Sequence, residues 1–118
     1  MTLARGDVHL VRFKFPDRER VGQFQQKDKY LVVLRSDHST DAPFVIASTR
    51  RPDYMPRAFD VVVQPEGGQF SVETVIDCRW PYTLPKTWFP EGSLRFTLPP
   101  SVMRAISLAL VVGLEISL

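Results

Sequence analysis

A chain of 118 residues with 15 basic and 13 acidic side chains, net +2, fits one domain with one core, too near neutral for charge alone to argue for nucleic acid. Ten prolines leave little room for long helices before the C-terminus. The single cysteine, Cys78, excludes an intrachain disulfide and a cysteine-built metal site, as suits a reducing, cytoplasmic setting. Met1–Gly6 carries no apolar signal core, and the longest apolar stretch, Ile106–Leu114, falls far short of the ~20 residues that span a bilayer. Neither secretion nor a membrane partner is expected.

Val8 and Leu10 alternate with His9, Val11, Phe13 and Phe15, the period-2 pattern of a strand with two distinct faces. Pro16–Arg20 reads as an exposed loop extending toward Asp28. Tyr30–Leu34 is a continuous apolar run, which predicts a central strand buried on both faces. Arg35–Pro43 is rich in turn formers and reads as a connection. Strands are then predicted over Phe44–Thr49, Phe59–Gln64, Val72–Arg79 and Leu94–Leu98, with Pro65-Glu66-Gly67-Gly68 as a stop. Short strands joined by turn signals favour a mainly β, small antiparallel barrel.

Pro99-Pro100 changes the regime, since proline is tolerated in the first turn of a helix. Met103, Ile106, Leu110 and Leu114 follow at helical spacing, and Leu108, Val111 and Val112 widen the apolar surface. A helix apolar nearly all round is usually buried on two sides. One side is the sheet; the other is either the rest of its own core or a second subunit.

No phosphate-binding glycine loop, metal-binding histidine pair or nucleophile elbow occurs in the chain. His9 and His38 are the only candidates for a histidine acid–base pair. Val11 and Phe13 on the face of His9 favour a half-buried structural role for it, and His38 sits in a polar turn. Eight of the 15 basic residues lie in the first 35 positions, Arg18 and Arg20 among them. Such a stripe binds phosphates or keeps a strand edge from aggregating. Arg50-Arg51 directly follows Ser48-Thr49, so two cations and two hydroxyls stand together at a strand end. Trp80, Tyr82 and Trp88 lie just beyond Arg79, where aromatics among basic residues suit stacking on unpaired bases or pin a loop to the barrel.

Several short motifs fall in the order found in the MazF/PemK toxins of bacterial toxin–antitoxin systems, and the chain resembles that family. Gly6-Asp7-Val8 matches the opening strand, and Gly22-Gln23-Phe24-Gln25 occupies a loop that often reads Gly-Ser-Glu-Gln. Lys29-Tyr30 stands where the family has Arg-Pro, and Ser48-Thr49 matches a third strand ending in Thr or Ser. Ser71-Val72, then Asp77-Cys78-Arg79, match a Ser-Val strand leading to Gln-x-Arg, and Leu98-Pro99-Pro100 matches the start of the closing helix.

The resemblance implies an SH3-like barrel of the MazF/CcdB type with a C-terminal α-helix, forming a homodimer. It implies metal-independent, cofactor-free, sequence-specific cleavage of single-stranded RNA or mRNA that arrests growth, and silencing by a cognate antitoxin protein. Carried over by position, Lys29, Thr49 and Arg79 are the catalytic candidates. Arg18, Arg20, Gln25, Ser48, Arg50, Arg51 and Trp80 are the RNA-binding ones. Lys29 retains the charge of the family's arginine without its planar fork. Phe24 replaces a glutamate with a side chain that cannot move a proton. Those two departures keep a non-cutting binding barrel as the alternative. The gyrase-inhibiting CcdB type relies on a tryptophan in its C-terminal tail, whereas this chain ends Glu115-Ile116-Ser117-Leu118.

Overall fold

The computed structural model describes residues 3–16, 21–36 and 40–117. Arg18, Arg20 and His38 lie outside the described residues, as do the side chains of Phe24 and Gln25. Seven strands, β1 (Asp7–Pro16), β2 (Phe24–Val33), β3 (Asp41–Thr49), β4 (Asp60–Val63), β5 (Thr74–Asp77), β6 (Tyr82–Pro85) and β7 (Leu94–Thr97), precede one helix, α1 (Pro100–Gly113). A short 3-10 turn, Lys86–Trp88, links β6 to β7. The strands form one antiparallel sheet in the order β4-β5-β3-β2-β1-β7, with β6 added to β3.

β2 is a central strand, as its apolar run requires. Val32 faces one core with Val8, Val45, Ala47 and Ile76, while Leu31 and Val33 face a second with Val11, Phe44 and Phe89. Both sheet faces are therefore covered, which is the physical reason Tyr30–Leu34 does not alternate. The loop expected to extend toward Asp28 instead ends by Gln23, and β2 begins at Phe24. Gln26, Lys27 and Asp28 are exposed because this half of β2 pairs only with Val11–Pro16 of β1, beyond the reach of β3. Gln26, Lys27 and Asp28 have no sheet face to cover them, so this part of β2 shows no apolar period.

Two further boundaries differ from expectation. β3 starts at Asp41 rather than Phe44, because Asp41–Phe44 pairs with β6. β5 is confined to Thr74–Asp77, and Cys78-Arg79 already form the turn that leaves it. Gly6 enters β1 with φ +92°, a conformation costly for any residue with a Cβ. There its N–H donates to Val33 O and its carbonyl accepts from Leu98 N, tying the sheet to the start of α1.

Pro100 opens α1 without a side-chain cap, and Met103, Ile106 and Ala109 bury its inner face on the first core. Burial of each large side chain stabilises the fold by about 1.5–3 kcal/mol. At the other end, Ile116 N–H donates to Val111 O and Glu115 N–H to Val112 O, with Glu115 left-handed at φ 55°. These are the two bonds of a Schellman stop. Leu108, Val112, Leu114 and Ile116 remain exposed, so the outer apolar face of α1 does not fold into the chain's own core.

Candidate functional site

The outer edge of β3 is divided between two partners. Ala47–Thr49 pairs with Ile76–Thr74 of β5, and Asp41–Phe44 pairs with Pro85–Tyr82 of β6. Between them the chain must turn away from the sheet at Cys78–Pro81, and the gap it leaves is a pocket of about 360 Å³. Ile46, Ser48 and Thr49 of β3 form its floor with Val75 and Asp77 of β5. Arg50, Arg51 and Tyr54 wall one side, and Trp80 and Tyr82 the other.

Chain continuity brings Ser48, Thr49, Arg50 and Arg51 into the pocket together, and Trp80 joins them across the gap. Thr49 is the last residue of β3, exposed and opposite Thr74, and among the described residues its hydroxyl has no hydrogen-bond partner. The two arginines differ. Arg50 donates from Nη1 to Glu73 Oε1 at 2.9 Å and from Nη2 to Tyr54 O at 3.2 Å, and its N–H bonds Glu73 O. It clamps the loop after β3 to the segment before β5. Arg51 is exposed and pairs with no other described residue, so its charge is available to a ligand.

Arg79 lies beside the pocket, fully engaged with one of its walls. Its N–H and Nε donate to Asp77 Oδ1 at 3.0 and 3.2 Å, and Nη2 donates to Oδ2 at 2.9 Å. The guanidinium also stacks over Phe59 at 4.1 Å and approaches Trp80 at 5.8 Å. Burial pushes the Asp77 carboxyl upward, yet the side-chain and backbone bonds from Arg79 outweigh it and hold the group below its ordinary range. Asp77 is therefore ionised at neutral pH. Tyr54 is also committed: its hydroxyl donates to Asp60 Oδ2 at 2.5 Å, which raises the phenol's pKa.

Lys29 does not line the pocket, although register sets it nearby. Leu31 pairs with Ile46, and two residues further along the respective strands stand Lys29 and Ser48. Alternation puts both on the same sheet face. Lys29 is half-buried and, among the described residues, has no ion-pair partner.

His9 lies outside this pocket. It is buried on β1 with Nδ1 2.8 Å from Ser93 Oγ and its ring edge-to-face with Phe89. Desolvation lowers its pKa, so it stays neutral near pH 7.

This curled antiparallel half-barrel with a C-terminal helix is the fold of MazF-type toxins. It superposes on a mycobacterial endoribonuclease solved with its cognate antitoxin at TM-score 0.70 and 18% identity, covering 98% of each chain. For the Mycobacterium tuberculosis toxin MazF-mt6 the TM-score is 0.69 at 15% identity, over 95% of this chain and 99% of the other. For the MazE–MazF complex of Deinococcus radiodurans it is 0.65 at 19% identity, over 98% and 97%. No protein-family profile matches the sequence, and no curated protein matches it by sequence similarity.

Proposed function

We propose that this protein is the toxin of a toxin–antitoxin pair, a metal-independent endoribonuclease that cuts single-stranded RNA in the β3-edge pocket. The observation that carries the reading is the convergence of Thr49, Ser48, Arg51 and Trp80 in one pocket, on a fold shared with MazF endoribonucleases.

The chemistry follows from the substrate. An RNA 2′-OH attacks the neighbouring phosphate when its proton is removed, the 5′-oxygen is protonated and the added negative charge is held. The Thr49 hydroxyl donates to a non-bridging oxygen, and the unpaired Arg51 supplies the countercharge within a partly desolvated cleft. Lys29, on the sheet face of Ser48, completes the charge or delivers the proton. Arg50 and Arg79 act as positioning residues, because each spends its guanidinium on a carboxylate, Glu73 and Asp77 respectively. Ser48 and Trp80 bind the strand on either side.

The exposed apolar face of α1, with Leu108, Val112 and Ile116, supports a homodimer. The described residues contain no helix long and apolar enough to cross a membrane. An RNA-cutting toxin of this kind works in the cytoplasm, held inactive by its antitoxin.

The test is incubation of the purified, antitoxin-free protein with a long mixed-sequence RNA in excess chelator, followed by mapping of the ends. Discrete cuts are expected, falling at least about tenfold in Thr49→Ala with the fold intact, since loss of one charge-stabilising donor commonly costs more than that. Intact RNA would return the weight to a non-cutting RNA-binding barrel.

A further inference from the structure

The pocket has two chemically different ends, and the second reads the base. Thr49 and Arg51 form the phosphate end. Asp77 stands one step beyond the Ala47–Ile76 pair, opposite Ile46, three residues back along β3 from Thr49. At 3.3 Å per residue that separation is about 10 Å, comparable with one nucleotide measured from phosphate to base edge.

A carboxylate has about four acceptor sites. In Asp77 both sites of Oδ1 are taken by the Arg79 N–H and Nε, and one site of Oδ2 by Nη2. Among the described residues a single lone pair on Oδ2 is left without a donor, on a group that lines the pocket and is held by Arg79. Trp80 and Tyr82, 60% and 49% exposed, stand beside it; Tyr82 stacks one face on Phe44 and Trp80 turns one toward Arg79, so each can offer a base only its other face. The neighbouring Tyr54 hydroxyl offers no competing proton, being committed to Asp60.

The geometry points to Asp77 as a specificity residue that accepts a hydrogen bond from the exocyclic amino group of a base stacked in the pocket, selecting adenine, cytosine or guanine against uracil. Uracil has no amino group, and its one Watson–Crick donor, N3–H, is flanked by two carbonyl oxygens that an ionised carboxylate repels. Cytosine differs from uracil at that edge in presenting N4–H₂ instead of O4 and an acceptor N3 instead of N3–H, so the pair tests the edge as a whole and removal of the N4 protons isolates the amino group. This assignment rests on the RNA-binding reading of the pocket but not on catalysis.

Pentamers of deoxycytidine and of deoxyuridine lack the 2′-OH and cannot be cut by the proposed chemistry, so they test base selection separately from cleavage. Trp80 emission, read in a Trp88→Phe background, reports their binding. The deoxycytidine pentamer is expected to bind about tenfold more tightly than the deoxyuridine one, the scale of one well-formed base contact. Asp77→Asn, whose amide both donates and accepts, should bring that ratio near unity. A pentamer of N4,N4-dimethyldeoxycytidine should bind no better than deoxyuridine while Asp77 is left in place, a comparison that needs no change in the pocket. Equal affinity for deoxycytidine and deoxyuridine, a preference that survives both changes, or no binding of either would overturn the assignment. Discrete RNA cuts without base selection at this position would sink it while leaving the nuclease reading intact.

Discussion

Gly113, the last residue of α1, lies against the Cys78-Arg79 turn that joins Asp77 to Trp80 of the pocket. A Cβ built on it would stand 2.8 Å from the Cys78 carbonyl oxygen, 3.0 Å from Cys78 C and 3.1 Å from Arg79 Cα. All three are backbone atoms, so no flexible side chain can move aside. Helix propensity alone favours alanine over glycine by up to about 1 kcal/mol in a helix interior, and by less at a terminal residue. Forcing a methyl into a filled contact costs about 1–3 kcal/mol. Sterics therefore win, and Gly113→Ala should destabilise the protein by about 1–2 kcal/mol, lowering Tm by roughly 3–8 °C. Gly67→Ala is the control: its Cβ would meet nothing within 4 Å and its φ is not left-handed, so a neutral or slightly stabilising effect is expected. Calorimetric melts of both variants measure the difference, and Trp80 emission reports whether the turn has shifted. A Gly113→Ala protein as stable as the parent would show that the end of α1 does not press on the turn.

Arg51→Ala should weaken RNA binding across all sequences and make the plot of log K against log salt shallower by about 0.7, the loss of one phosphate contact on a single strand. A titration with uncleavable RNA at several salt concentrations reads the slope, and an unchanged slope would remove Arg51 from the phosphate end. Cys78 is fully buried, and desolvation pushes its thiol from 9.0 up to about 12. A raised folded pKa means the unfolded chain loses this proton first, so stability is intact below pH 9 and falls by about 1.4 kcal/mol per pH unit from there toward 12. Denaturant melts from pH 8 to 10.5 check this against a Cys78→Ala variant, which should lack that component. Rapid labelling of the native thiol at pH 8, faster than unfolding allows, would contradict the burial.

The fold was legible where burial imposes a period. Tyr30–Leu34 announced a central strand because both its faces are covered, and Met103, Ile106 and Leu110 announced a helix with one face on the sheet. β6 was not legible: Tyr82-Thr83-Leu84-Pro85 is mostly exposed and bounded by prolines, and it is a strand only because Asp41–Phe44 of β3 offers it an edge. The same distinction governs the site. Ser48–Arg51 are adjacent in the chain, so their convergence could be read directly, and the pairing of Asp77 with Arg79 follows from their spacing across a turn. The pocket itself comes from the gap between β5 and β6 on one edge of β3, a consequence of long-range register that no local pattern carries. Lys29 was put forward by motif position alone, and register sets it on the face of Ser48 but not in the pocket lining.

The most direct test of RNA cleavage through the substrate's own 2′-OH uses a synthetic RNA spanning one mapped cut, with and without a single 2′-deoxy substitution on the 5′ side of the scissile phosphate, in excess chelator. Cleavage of the all-ribose strand to a 2′,3′-cyclic phosphate and a 5′-hydroxyl, with the substituted strand intact, is the expected result. Cleavage of both strands, or of neither, would contradict it.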